Sequence, residues 1–341
     1  MSRVCGQGKL WSIILAGGEG ERLRPLVQRW LGRHRPKQYC TFVGTRSMLE
    51  HTLDRVDPLC SSEHRVTVIT RSHLPEAEPQ LVKPRAGVVV VQPVNRNTAP
   101  GVFLGLAHVR ARDPKAIVAI FPSDHFIHPE DRFVSLVRSA VQAAAELENL
   151  VLVGVRPERP ETEYGWIVPG KCLGRVRGQE VRAVDGFVEK PRADACQSVM
   201  AKGGLWNTLI LAARAEVLWH MGERYLPEMM SLFEAYGEVI GTPEERAVLE
   251  ASYDLMPPYN FSLGILGPAS AETAVIESTG ILWSDWGKPE RIVETLRVLG
   301  KQPRFFNDPG SSVVLMVSMR VAQYRVPFRP SSREAADLIR P

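Results

Sequence analysis

The sequence predicts an α/β protein: a mixed, mostly parallel sheet flanked by helices. Three observations carry this expectation. Short β-branched runs alternate with longer amphipathic stretches, the order expected when helices cover a sheet between successive strands. The first run passes directly into a glycine-rich loop, Gly17-Gly18-Glu19-Gly20, as buried first strands of such sheets often do. A later apolar run ends at Ser123-Asp124-His125, and the carboxyl ends of strands are where open α/β sheets bind ligands.

The elements follow in order. Residues 11–16, 65–70, 87–92, 116–121 and 150–155 are short and rich in Val, Ile and Leu, and read as strands. Between the first two, Ser47-Met48-Leu49-Glu50 has the Ser-x-x-Glu spacing of a capping box and should open a helix running to about residue 56. Residues 98–110 and 131–147 are further helices. In the second half, 181–189 alternates like a half-exposed strand and 205–213 resembles another, with helices expected near Ala215, Pro227 and Pro289. No repeat, low-complexity segment or Gly/Ser-rich linker divides the chain. One domain is therefore expected over residues 1–300. A tail, 301–341, contains an apolar run at 312–317 and a polar end rich in Arg, Ser and Pro, and no motif assigns it a role.

Composition narrows the function classes. With 341 residues, 44% hydrophobic and 23% charged, the chain can bury a large core without a disulfide or metal staple. No uncharged run is long enough to cross a bilayer, so no membrane association is expected. Arg3, Lys9 and the apolar run 10–16 faintly imitate a secretory signal, but Gly17-Gly18-Glu19 breaks the run too early and a buried first strand is the better reading. Five scattered cysteines, an odd number with no C-x-x-C pair, suit a reducing compartment and a cytoplasmic location. The net charge of +4 is spread along the chain rather than concentrated in a nucleic-acid footprint. A small polyanionic substrate is enough to account for it, and a homo-oligomer stays open.

The most informative segment is Leu15-Ala16-Gly17-Gly18-Glu19-Gly20-Glu21-Arg22-Leu23-Arg24-Pro25-Leu26. Glycines can take positive φ and let successive N–H groups converge on an anion, while arginine adds forked, delocalised positive charge. The spacing is neither the P-loop pattern nor the dinucleotide G-x-G-x-x-G pattern. On the residues alone it is a phosphate-binding loop or an ordinary glycine-rich βα turn.

At this segment the chain resembles the sugar-phosphate nucleotidyltransferase family, and within it the mannose-1-phosphate guanylyltransferases, which open with L-A-G-G-x-G-x-R-L-x-P-L and follow with P-K-Q, here Pro36-Lys37-Gln38. The resemblance continues collinearly over about residues 10–300. Gln92-Pro93-Val94-Asn95-Arg96-Asn97-Thr98-Ala99-Pro100 is similar to E-P-x-x-R-N-T-A-P, and Phe121-Pro122-Ser123-Asp124-His125 follows. Tyr164-Gly165-Trp166-Ile167 resembles Y-G-Y-I, and Val188-Glu189-Lys190-Pro191 resembles F-x-E-K-P. Trp206-Asn207-Thr208 resembles W-N-[ST], and Trp283-Ser284-Asp285-Trp286-Gly287 resembles W-x-D-x-G.

The resemblance implies a Rossmann-like nucleotidyltransferase fold and a reaction of GTP with mannose 1-phosphate to give GDP-mannose and pyrophosphate. It implies catalytic roles for Arg22, Lys37 and Asp124, and nucleotide binding by Leu15, Ala16, Gly17, Gly18, Gly20, Gln92, Arg96, Asn97 and Thr98. It implies sugar-phosphate binding by Tyr164, Gly165, Glu189, Lys190 and Asn207, and Mg2+ on Asp124 and Asp285. Leu209 stands where the family usually has glycine, and Ser262 and Gly267 replace two acidic positions of an I-D-x-x-V-M-E segment. The sugar end of the pocket is therefore where this chain departs from the pattern. Another NDP-sugar pyrophosphorylase and a catalytically silent sugar-nucleotide-binding subunit are the alternatives. A nicotinamide oxidoreductase fails on glycine spacing.

Overall fold

The computed structural model describes residues 8–81 and 84–306. Its strands and helices, in chain order, are β1 (Leu10–Leu15), α1 (Arg24–Leu31), α2 (Met48–Val56), β2 (Arg65–Thr70), α3 (Leu74–Ala77), β3 (Val88–Gln92), α4 (Thr98–Arg110), β4 (Ile117–Pro122), β5 (Phe126–His128) and α5 (Glu130–Leu147). There follow β6 (Leu150–Val155), β7 (Gly165–Val176), β8 (Gln179–Glu189), α6 (Ala193–Ala201), β9 (Leu205–Arg214), α7 (Ala215–Tyr225), α8 (Pro227–Gly237), α9 (Glu245–Leu255), β10 (Thr273–Ser278), β11 (Leu282–Ser284) and α10 (Pro289–Val298).

Nine strands form one sheet in the order β3-β2-β1-β4-β9-β6-β10-β8-β7. β1, β2, β3 and β4 pair in parallel, as do β6 and β10, while β9 and β8 run against their neighbours. The mixed, mostly parallel sheet expected from the sequence is present. Alternation along β1 explains its two covered faces: Trp11 and Ile13 pack with α4, α7 and α8, whereas Ile14 and Ala16 pack with α2 and α5. Because α4 lies between the sheet and α7 and α8, it is apolar nearly all round, as an enclosed helix must be.

The local signals act as their chemistry requires. Ser47 Oγ accepts from Glu50 N at 3.1 Å and Glu50 Oε2 accepts from Ser47 N at 2.7 Å, closing the capping box on α2. Asn97 caps α4 by accepting from Thr98 N at 2.8 Å. β5, β7, β10 and β11 were not among the expected strands. β7 contains Pro169, Gly170 and Gly174 and shifts register against β8 three times, which hides its period-two pattern.

A third, smaller cluster joins α1, α2 and α10 through Leu26, Met48, Trp286, Ile292 and Phe305. Arg304 N donates to Phe42 O at 2.8 Å, so packed structure continues past residue 300 to Phe306. The expected apolar run at 312–317 and the rest of the tail lie outside the described residues. No described helix is long and apolar enough to cross a membrane.

Candidate active site

β2 and β3 lie to one side of β1 and β4 to the other, so the crevice beyond the carboxyl ends of β1 and β4 is a topological switch point. Two of the sequence-predicted segments leave the sheet there: the glycine loop after β1 and Ser123-Asp124-His125 after β4. They are tied together, because Ser123 donates to Leu15 O from both its N, at 3.0 Å, and its Oγ, at 2.9 Å.

The loop is held by its carbonyls. Gln38 Nε2 donates to Ala16 O and Gly18 O at 2.9 and 2.8 Å, Tyr39 OH donates to Ala16 O at 2.9 Å, and Thr70 Oγ1 and Asn95 Nδ2 donate to Gly17 O at 3.0 and 3.1 Å. Gln38, Tyr39 and Asn95 are thus scaffolding that the motif reading left without a role. Glycine is required at two of these positions by close approach. A Cβ on Gly17 would lie 2.5 Å from Gln92 Nε2, and one on Gly20, at φ 65°, would lie 2.9 Å from Lys37 N.

Beside the loop opens a cleft of ≈ 440 Å³. Leu15, Gly17, Gly18, Gln92, Asn97 and Thr98 line it, as the sequence reading grouped them, and Asn95, Gly101 and Pro258 stand beside them in its wall. Ala16, Gly20 and Arg96 are not in that wall. Arg96 Nε instead donates to Tyr253 O at 3.1 Å, and Thr98 Oγ1 accepts from Phe261 N at 2.8 Å, fastening this segment to α9 and the stretch that follows it. Gln92 is buried, its Oε1 accepting from Tyr253 OH at 3.1 Å. Asn97 sits at φ 72°, ψ −164°, a region expensive for any residue with a side chain.

The charged centre is assembled from four segments far apart in the sequence. Lys37 Nζ, buried, lies 2.8 Å from Asp124 Oδ2 and also donates to the Asp285 backbone carbonyl. Asp285 Oδ2 accepts from Arg22 Nη2 at 2.9 Å, and Asp285 Oδ1 accepts from Tyr164 OH at 2.7 Å, Arg291 Nη1 at 2.7 Å and Gly287 N at 3.0 Å. Burial alone would raise the Asp285 pKa, but Lys37, Arg291, Arg22 and the Tyr164 hydroxyl together hold it well below the carboxylate range. Asp124 obeys the same balance: burial opposes ionisation, and the Lys37 ammonium 2.8 Å away overcomes it. Both carboxylates are anions at neutral pH. Burial drives His125 down to about 4, so its imidazole is neutral there.

Arg291, Glu161 and Glu163 belong to none of the motifs, yet they frame this centre. Arg291 is buried, with Nη2 2.7 Å from Glu161 Oε2 and 2.9 Å from Glu163 Oε2 and its guanidinium 4.6 Å from the centre of the Tyr164 ring. Glu163 also meets Lys288 Nζ at 2.9 Å and Arg22 Nη1 at 3.0 Å.

The expected sugar residues form a second group bordering the first. Gly165 pairs with Glu189 across β7 and β8, and a Cβ on Gly165 would meet Glu189 Oε2 at 2.7 Å and Asn207 Cβ at 3.4 Å. Lys190, at φ 48°, donates its N–H to Tyr164 O at 3.1 Å and keeps its ammonium 3.3 Å from Glu189 Oε1. Asn207 Oδ1 accepts from Leu209 N at 3.1 Å, leaving the Asn207 NH2 as the available donor. Leu209 stands at φ 57° in a bulge of β9, the conformation for which glycine is the usual choice. Ser262 and Gly267, the other departures, begin and cap a π-helical turn, Ser262–Leu266.

Among the described residues, no set of three or more His, Cys, Asp or Glu side chains converges to hold a metal ion. Asp124 and Asp285 are the carboxylates of this centre that could hold a metal ion. Two hard, ionised carboxylates suit Mg2+, which completes its shell with phosphate and water oxygens.

A family model described as nucleotidyl transferase matches residues 11–302. The xanthan biosynthesis protein XanB of Xanthomonas campestris pv. campestris (strain B100) is 33% identical over 273 residues, covering 78% of this chain and 53% of that protein. A mannose-1-phosphate guanylyltransferase of Escherichia coli (strain K12) is 30% identical over 239 residues, covering 67% of this chain and 48% of that one. The chain therefore spans about half the length of these curated relatives. Among solved structures, a protein described as mannose-1-phosphate geranyltransferase from Thermus thermophilus superposes with a TM-score of 0.72 at 27% identity, covering 84% of this chain and 79% of that one.

Proposed function

The chain belongs to the nucleotidyl transferase family, and from that premise we propose that it transfers a nucleoside monophosphate from GTP to mannose 1-phosphate, giving GDP-mannose and pyrophosphate. The observation that carries the reading is the convergence on Lys37: one buried ammonium contacts the Asp124 carboxylate and the Asp285 backbone carbonyl, with Arg22 on Oδ2 of Asp285, all beside the glycine loop.

The sugar phosphate is an anion at neutral pH, so its oxygen attacks the α-phosphorus without a general base while the bond to the bridging oxygen of pyrophosphate breaks. The protein must supply orientation and charge neutralisation. In this reading Lys37 and Arg22 offset charge on the α-phosphate and the departing pyrophosphate, and the glycine loop and Asn97–Thr98 hold the nucleotide in the cleft. Glu189 and Asn207 bind sugar hydroxyls and Lys190 the sugar's phosphate. Asp124 and Asp285 would hold Mg2+, which when bound supplies positive charge shared between the phosphate oxygens.

The test is a substrate matrix: pyrophosphate release across GTP, ATP, UTP, CTP and dTTP with mannose, glucose and GlcNAc 1-phosphates. We expect GTP to exceed ATP by at least about a hundredfold in kcat/KM, since a site that hydrogen-bonds guanine leaves polar groups unpaired with adenine. Mannose should exceed glucose by less, because one hydroxyl orientation separates them and Leu209 and Ser262 alter that end. Turnover of UTP or dTTP with glucose 1-phosphate, and none of GTP with mannose 1-phosphate, would overturn the assignment.

A further inference from the structure

Arg22 has two anionic partners here, and neither is a phosphate. Its Nη2 lies 2.9 Å from Asp285 Oδ2 and its Nη1 3.0 Å from Glu163 Oε2, with about half of the side chain exposed. The other oxygen of Asp285 is fully engaged by Tyr164, Arg291 and Gly287. Oδ2 is consequently the oxygen through which Asp285 could bind a cation, and a guanidinium is on it. Glu163 is itself anchored by Arg291 and Lys288, so it is a fixed acceptor.

We propose that Glu163 is a positioning residue for Arg22, sharing its guanidinium with Asp285, so that Arg22 competes with a divalent cation for Asp285 Oδ2 until metal and triphosphate draw it onto the phosphates. The inference rests on the reading that Asp285 is a metal ligand. Charge stays balanced through the exchange: when the cation takes Oδ2, Arg22 keeps an anionic partner in Glu163, and the phosphates are the next anions within reach of the glycine loop on which Arg22 sits. Holding Arg22 from one side also limits how strongly it can close on Asp285. Removing the Glu163 charge should therefore tighten the Arg22–Asp285 pair and make the cation's entry harder, an effect transmitted wholly through Arg22.

The measurement is Mn2+ binding to the full chain, followed by the loss of the free-ion paramagnetic resonance signal, without nucleotide. Arg22→Met should bind Mn2+ more tightly than wild type by about threefold to fivefold, the worth of a half-exposed ion pair. Glu163→Gln should bind it more weakly, and the Glu163→Gln change should have no further effect in the Arg22→Met background. A simple field effect of the Glu163 charge would weaken binding equally in both backgrounds, and that outcome overturns the inference, as does an Arg22→Met protein that binds Mn2+ no better than wild type. Asp285→Asn separates the two levels: if it binds Mn2+ as wild type does, the metal reading itself falls. If it loses binding while Arg22→Met gains nothing, only the role of Arg22 and Glu163 falls.

Discussion

Arg291 Nη1 lies 2.7 Å from Asp285 Oδ1, and both side chains are buried. The pair closes the far side of the charged centre, and the same guanidinium satisfies Glu161 and Glu163. Removing one member of a buried pair leaves the other charged and under-solvated, which costs about 3–5 kcal/mol. Arg291→Met should therefore lower unfolding free energy by about that much in a denaturant titration. Arg291→Lys, which keeps the charge but loses the fork, should cost less. Equal stability of the Met variant and wild type would show that Asp285 is adequately held without Arg291.

Asp124→Asn and Asp285→Asn alter little volume but remove the charges that meet Lys37 and Arg22. Each should lower turnover by more than about a hundredfold, at least the loss seen when a partner of a metal ligand is removed. Circular dichroism should remain that of the wild type. Normal turnover in both variants would take the proposed metal site away.

Much of this site was legible because its residues fall in short motifs at the ends of strands. The apolar runs located β1, β2, β4 and β6 to within a residue, and Ser47 and Glu50 located α2. What could not be read was the pairing between motifs: Lys37 meets the Asp285 carbonyl across 248 positions, and no local pattern specifies that contact. Glu161, Glu163 and Arg291 were invisible for a related reason. Charged residues beside a turn or on the first turn of a helix are ordinarily solvated, and only the packing of α10 against the segment before β7 brings them together and buries Arg291. Leu209 departs from the glycine usual at its position, and its positive φ supplies the physical content of that departure.

Leu209 should tolerate glycine better than valine. At φ 57° a side chain is penalised by about 1–2 kcal/mol, most severely when β-branched. Leu209→Gly relieves this while losing packing against the core, so its stability should lie within about 1 kcal/mol of wild type. Leu209→Val keeps the strain and worsens it, and should cost about 2 kcal/mol. Thermal or urea unfolding gives the order directly, and a valine variant as stable as the glycine variant would contradict it.

His108 should make the protein acid-sensitive. Its Nε2 is 2.7 Å from Tyr236 OH, which in turn donates to Glu245 Oε1 at 3.1 Å, while Arg112 lies against Nδ1. Burial, with Arg112 adding and Glu245 opposing, pushes the imidazole down to about 4 from an ordinary value near 6.5. The unfolded chain therefore binds the proton first, and stability falls as pH drops from about 6.5 toward 4, by up to about 1.4 kcal/mol per pH unit. His125 has the same sign. His108→Gln keeps a donor for Tyr236 and an acceptor for Arg112 but cannot titrate, so it should flatten part of that slope. An unchanged slope would place the acid sensitivity elsewhere.

Arg22 and Lys190 should separate in steady-state kinetics, because the geometry gives them different neighbours. Arg22 stands on the glycine loop with Asp285, where charge on the departing pyrophosphate would develop. Lys190 pairs with Glu189, with 60% of its side chain exposed, and its backbone is pinned to Tyr164. A preorganised donor to developing charge contributes about a hundredfold to a thousandfold in rate, whereas a charge-assisted bond to a bound phosphate contributes mainly to affinity. Arg22→Ala should accordingly lower kcat and kcat/KM together by about a hundredfold or more. Lys190→Ala should raise KM for the sugar 1-phosphate about tenfold or more, with kcat nearly kept. Initial rates with each substrate varied in turn decide the matter. If Lys190→Ala shifts only the nucleotide's KM, the ammonium belongs to the triphosphate and the sugar's phosphate must be held by another group.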